Sequence, residues 1–151
     1  MTTPRAGKTL MIVEDEVLVA TVLRSELEDA GYHVLKLTDR IAGAIEVAKA
    51  NQPNLALVNI QLVGGDDGIE LARLLKALDI PVLLISGQVS RARSARTVAI
   101  ASLPKPYDAA EMVLAVTYLL GCLKGDTSLP RPSDLEVFDE EGFGIAPADG
   151  G

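Results

Sequence analysis

Apolar residues in this chain gather in short runs separated by amphipathic stretches, and the two kinds alternate from residue 9 to residue 123. Thr9 to Val13 is a five-residue apolar run that stops abruptly at Glu14-Asp15-Glu16, the pattern of a buried parallel strand whose carboxyl end meets solvent. From Val17 to Ala30, Ala20, Leu23, Leu27 and Ala30 recur at helical spacing, with Arg24, Glu26 and Glu28 between them and Gly31 as a stop. The alternation continues with a strand over 33–37, a helix over 40–50, a strand over 55–60 and a helix over 68–77. It closes with a strand over 80–85, a short helix over 91–98, a weak strand over 99–103 and a long helix over 108–123.

Five strand-helix units with short connections predict an α/β fold. The expected architecture is a doubly wound, five-stranded parallel sheet of the flavodoxin-like kind, covered by helices on both faces. The expected domain spans residues 8–124, after an N-terminal extension of residues 1–7. Residues 125–151 differ in character: five Gly and three Pro fall among 27 residues without sustained periodicity. That segment is either a solvating acidic tail or, given Leu135, Val137, Phe138, Phe143 and Ile145, a segment that docks on this domain or a partner. Its length leaves no space for an output domain, so a stand-alone module is expected.

Charge sharpens the division. Of the net charge of -7, residues 1–124 carry -1 (14 acids, 13 bases) and residues 125–151 carry -6 (seven acids against Arg131). Neither part has the basic surface that binding to a phosphate backbone requires, so no direct contact with nucleic acid is expected. No apolar run reaches the roughly 18 residues of a membrane span and no secretory leader is visible, which predicts a cytoplasmic protein. One cysteine, Cys122, and one histidine, His33, offer neither a disulfide nor a Cys/His metal cluster.

In a doubly wound sheet, ligands bind at the carboxyl ends of the strands. Those ends carry Glu14-Asp15, Asn59, Ser86-Gly87 and Lys105-Pro106. Singly, each suits a helix-terminal acid, a polar strand end, a turn or a solvated loop. Together with Gly65-Asp66-Asp67-Gly68 after the third strand, Pro81 to Gly87 around the fourth and Leu103-Pro104-Lys105-Pro106-Tyr107 around the fifth, the chain over residues 8–124 resembles the receiver domain of bacterial response regulators.

The resemblance implies that Glu14 and Asp15 hold Mg²⁺, with position 59 and the backbone carbonyl of Gln61 completing the protein ligands. It also implies that Ser86 and Lys105 contact a phosphoryl group. The phosphate-accepting aspartate is replaced by Asn59. Acyl-phosphate chemistry needs a carboxylate nucleophile whose charge is offset by a hard cation and a lysine. A carboxamide is neutral, a poor nucleophile and a weaker Mg²⁺ ligand. The switch positions implied by the family are Ser86 and position 102, where receivers carry an aromatic residue and this chain has Ser102. Pro104 interrupts the fifth strand, which is tolerable if that strand lies at the sheet edge.

The leading expectation is a phosphorylation-independent binding module of two-component or phosphorelay signalling, not an enzyme. Its partner would be a histidine kinase, a phosphotransfer protein or another signalling protein. A second reading is an ordinary phosphoacceptor locked by an introduced Asn59. A third, a small nucleotide- or flavin-binding α/β protein, lacks GxxxxGK[ST], GxGxxG and Trp, and the chain has only three Tyr to stack on a flavin. The last helix presents a wide apolar set including Met112, Val116 and Leu120, which makes it either a partner or homodimer surface or a deeply buried helix. Arg91, Arg93 and Arg96 lie beside that face and could meet acids, including those of the protein's own tail.

Overall fold

The computed structural model describes residues 8–126 and 128–138. Five parallel strands, β1 (Thr9–Val13), β2 (His33–Val34), β3 (Leu55–Asn59), β4 (Val82–Ser86) and β5 (Ala101–Pro104), alternate with helices. These are α1 (Val17–Asp29), α2 (Ile41–Asn51), α3 (Gly68–Ala77), α4 (Val89–Arg93) and α5 (Ala109–Leu123). A sixth strand, β6 (Glu136–Val137), pairs antiparallel with β5, giving the order β2-β1-β3-β4-β5-β6. The doubly wound α/β architecture is therefore as expected, with one strand added from the C-terminal segment.

Strand alternation distributes the core. Leu10, Ile12, Leu55, Leu57, Leu83 and Ile85 face α1 and α5, while Met11, Val13, Ala56, Val58, Val82 and Leu84 face α2, α3 and α4. Both faces are covered, which is why these strands carry unbroken apolar runs. Each fully buried Leu or Ile contributes about 1.5–3 kcal/mol of transfer free energy. Helix starts are encoded locally: Asp108 and Glu111 form a capping box on α5, and the Asp67 side chain accepts from Ile69 N at the start of α3. Each such cap contributes about 1 kcal/mol. Gly31, at φ 102°, lets the chain leave α1 and turn into β2.

Several expectations need correction. The second strand is shorter than 33–37 because its register slips: Leu10 pairs with Val34, but Val13 bridges Thr38, so one extra residue bulges between them. The fourth helix is Val89–Arg93 rather than 91–98. Ser94 Oγ donates to the Arg91 carbonyl (2.6 Å), and Ser94, Ala95, Arg96 and Val98 continue in turns bonded to the third preceding residue. The fifth strand is not at the edge, since β6 covers Ala101 and Ser102. Pro104 is tolerated for another reason. Lys105 N donates to Ser86 O on the β4 side, so by alternation Pro104 faces away, beyond the last β6 pair.

Met112 and Val116 have no exposed surface and Leu120 is buried, so these side chains do not form a partner surface. They are the inner face of a deeply packed helix. Cys122 is likewise a packed thiol, and His33 is exposed on the edge strand. Phe143 and Ile145 lie outside the described residues. Among the described residues no helix is long and apolar enough to cross a membrane.

Candidate functional site

The parallel strands deliver their polar carboxyl ends to one edge of the sheet. Register does this directly: Val13 pairs with Val58, Asn59 with Ile85, and Ser86 with Pro104, so the residues following each pair emerge side by side. A cavity of about 280 Å³ is lined by Asn59, Gln61, Ser86, Gly87, Gln88 and Lys105, with Ile60 and Ile85 beneath. A neighbouring depression carries Asp15, Gln61, Asp66, Asp67 and Arg91. Glu14, Asp15, Asn59, Gln61, Ser86 and Lys105 are thus brought together.

Asn59 is buried, and its amide Nδ2 donates to Asp15 Oδ1 (3.1 Å) and to the Gln61 carbonyl (2.5 Å). The orientation follows from the partners, both acceptors: turning the amide over would set three oxygens against one another. Ser86 is also committed locally, accepting from Gln88 N (2.8 Å) and donating to Gln88 O (3.1 Å). Ser102 is buried in β5, opposite Leu84 on one side and Glu136 on the other.

Glu14 is 2% exposed; its Oε2 accepts from Glu16 N (3.1 Å) and its Oε1 has no partner. Burial first, and then the hydrogen bond shared with Asp15, push its pKa up to about 7 against the pull of the Glu16 amide and the Lys105 charge. Among the described residues, the hydroxyl of Tyr107 is the other buried side-chain polar atom without a partner. Burial and the Glu14 and Glu16 carboxylates raise it to about 12. Because folded Glu14 keeps its proton to a higher pH than the unfolded chain does, stability falls as pH rises from the unfolded value of 4.5 to about 7 and then levels. Between pH 5 and pH 8, in chelator, this component is expected to reach on the order of 2–3 kcal/mol. Urea titrations of Glu14→Gln should lack that slope; an unchanged slope would assign it to other groups.

The carboxylates of Glu14, Asp15 and Glu16 approach within 4.8 Å, a donor chemistry that suits a hard cation such as Mg²⁺. The fit fails at Asn59. Its N–H groups point at Asp15 and at the Gln61 carbonyl, two of the oxygens a cation between them would need.

Other residues at this edge have structural duties that the sequence alone did not single out. Asp66 Oδ2 accepts from Ile41 N (2.9 Å), capping α2 from a distant loop, and Asp67 both caps α3 and pairs with Arg91 (2.6 Å). Arg91 is therefore occupied within the domain, Arg93 pairs with Glu136 of the C-terminal segment (3.0 Å), and Arg96 is exposed. The Asp-Asp-Gly run before an apolar periodic stretch is the local signal of a capped helix start. Gly68 is packed so closely against β3 that an added Cβ would lie 2.1 Å from Asn59 O.

The family model for the response regulator receiver domain matches residues 10–117. The phyllosphere-induced regulator PhyR of Methylorubrum extorquens is 32% identical over 84 residues, 54% of this chain and 32% of PhyR. The polar-differentiation response regulator DivK of Brucella anthropi is 32% identical over 83 residues, 52% of this chain and 66% of DivK. The chain thus spans about a third of PhyR and two thirds of DivK. Among solved structures, the signal receiver domain of a modulated diguanylate cyclase from Desulfovibrio desulfuricans superposes with a TM-score of 0.66 at 35% identity, covering 74% of this chain and 92% of that one. With its strand order, its polar strand ends and a family match over most of its length, this chain belongs to the response regulator receiver domain family of two-component signalling.

Proposed function

We propose that this chain is a receiver that accepts no phosphoryl group and acts by binding a histidine kinase, a phosphotransfer protein or another signalling protein. The observation that carries this reading is Asn59. It occupies the end of β3, across a small cavity from Ser86 and Lys105, where the family's nucleophilic carboxylate belongs. Its carboxamide has no negative charge to attack phosphorus. Its nitrogen instead holds Asp15 and the Gln61 carbonyl together, as a cation would. Mg²⁺ has no part in this reading, because the amide is in its way.

A surface suited to binding lies next to this pocket. Val17, Leu18 and Val22 of α1 are 70%, 81% and 55% exposed. Leu18 and Val22, together with Val19, Leu23, Pro106, Tyr107 and Ala109, line a groove of about 470 Å³ that Glu16 and Lys105 also border. Exposed apolar residues concentrated on one helix beside a site mark a contact surface better than scattered ones do.

After incubation with acetyl phosphate and Mg²⁺, the intact mass of this chain is expected to stay unchanged; gain of a phosphoryl group would overturn the proposal. Asn59→Asp, treated alongside, is expected to gain one. That gain would favour a locked or recently silenced switch, a second reading supported by the convergence of Glu14, Asp15, Ser86 and Lys105. Failure of both proteins would mark a pocket altered beyond Asn59.

A further inference from the structure

The C-terminal segment crosses the outer edge of the sheet. Phe138 N donates to Ile100 O (2.8 Å), and Glu136 and Val137 pair with Ser102 and Ala101. The segment straddles both layers: Leu135 and Val137 join the core under α1 and α5, and Phe138 joins the core under α2, α3 and α4. Glu136, between them, lies against α4, where both its oxygens accept from Arg93 Nε (3.2 and 3.0 Å). Leu129 crosses α5 at Gly121, where an added Cβ would stand 2.6 Å from Leu129 Cδ1.

This attachment is well shaped but short. Two residue pairs hold β6, as they hold β2 at the opposite edge, against four for each of the β1–β3, β3–β4 and β4–β5 pairings. Its ion pair is open to solvent and to salt, the Arg93 side chain being 63% exposed. Without the segment, β5 would present a bare edge flanked by a basic residue and by two apolar slots of opposite face. Such an edge accepts an added strand through its main chain and selects it by alternate side chains.

We propose that residues 128–138 form a displaceable strand over a strand-accepting edge of this receiver, and that the edge takes an extended segment of a partner protein with the same alternation. That segment would carry apolar residues towards α5, an acid opposite Arg93 and an aromatic residue towards α4. The inference stands apart from the chemistry at Asn59 and holds whether or not Asn59→Asp is phosphorylated.

The probe is a fluorescein-labelled peptide with the sequence of residues 128–138, titrated by anisotropy against the full chain and two full-length variants. Phe138→Pro removes both the donor to Ile100 and the buried ring, while Glu136→Arg keeps both, turns the ion pair with Arg93 into a like-charge contact and guards against misfolding of the first. The peptide is expected to bind Phe138→Pro at least about tenfold more tightly than the unaltered chain, with Glu136→Arg between them. Adding Arg93→Glu to Phe138→Pro should abolish the gain, and added salt should weaken it. Equal binding to all three proteins, or none to either variant while circular dichroism shows it folded, would overturn the proposal. Concentration-dependent dimerisation of the variants without peptide binding would assign the edge to a second copy of this chain and overturn it equally.

Discussion

Asn59→Asp is expected to destabilise the metal-free protein by about 2–4 kcal/mol near pH 8, and Mg²⁺ is expected to return most of that loss. The amide of Asn59 is buried and donates to two oxygens, Asp15 Oδ1 and the carbonyl of Gln61. An aspartate of the same shape replaces those donors with an acceptor, so both partner oxygens lose a hydrogen bond. It also places a second charge against Asp15, beside the already protonation-prone Glu14. A divalent cation reverses each term: it is attracted by all the oxygens and fills the space the amide nitrogen held. Binding to the folded state alone adds about 2.7 kcal/mol at a hundredfold excess over the dissociation constant. The check is urea denaturation of both proteins with chelator and with Mg²⁺. The unaltered chain should be nearly insensitive to the ion. Equal Mg²⁺ stabilisation of the two proteins would show that the Asn59 amide does not act as the cation's substitute.

What the sequence disclosed follows from how locally each feature is determined. The strands of the parallel sheet were legible because burial on both faces demands unbroken apolar runs, as in Leu55 to Val58, helix α1 because of its apolar spacing, and helices α3 and α5 because spacing and caps lie within a few residues. The convergence of Glu14, Asp15, Asn59, Ser86 and Lys105 followed from topology once the strands were placed. Features set by distant partners were not legible. The bulge in β2 depends on Thr38 meeting Val13, the capping of α2 depends on Asp66, and the burial of Met112, Val116 and Leu120 depends on what covers α5. Periodicity could not separate a wide apolar helix that is buried from one that is displayed. The docking of Leu135 and Phe138 was signalled only by apolar residues in an acidic, proline-bearing stretch, because two-residue strands are chosen by the edge they meet. Asn59 is the reverse case: its place at the end of β3 is legible in the sequence, and the proposal that no phosphoryl group is accepted rests on that one residue.

Gly68→Ala is expected to cost about 3 kcal/mol or more, an unusually large effect for adding one methyl group. The reason is where the methyl would go. Gly68 opens α3 immediately after the loop from β3, and its amide donates to Ile60 O (2.6 Å). A Cβ there would stand 2.1 Å from Asn59 O and 2.8 Å from Ile60 Cα, both backbone atoms of a segment fixed in the centre of the sheet. A flexible side chain could swing aside, but these atoms cannot move without breaking the β3 ladder or withdrawing α3 from its core. Gly87 is the matched control: it also lies at a strand end beside the pocket, and nothing stands within 4 Å of its added Cβ. Gly87→Ala should therefore stay within about 0.5 kcal/mol of the unaltered chain in guanidinium titrations. The effect also reaches the site, because the obstructed atom belongs to Asn59 itself. In the Asn59→Asp background, Gly68→Ala should lower phosphoryl uptake from acetyl phosphate even where the protein remains folded. A loss below about 1 kcal/mol for Gly68→Ala would mean that the β3–α3 junction yields easily. The close approach of α3 to Asn59 would then not be what holds that residue in place.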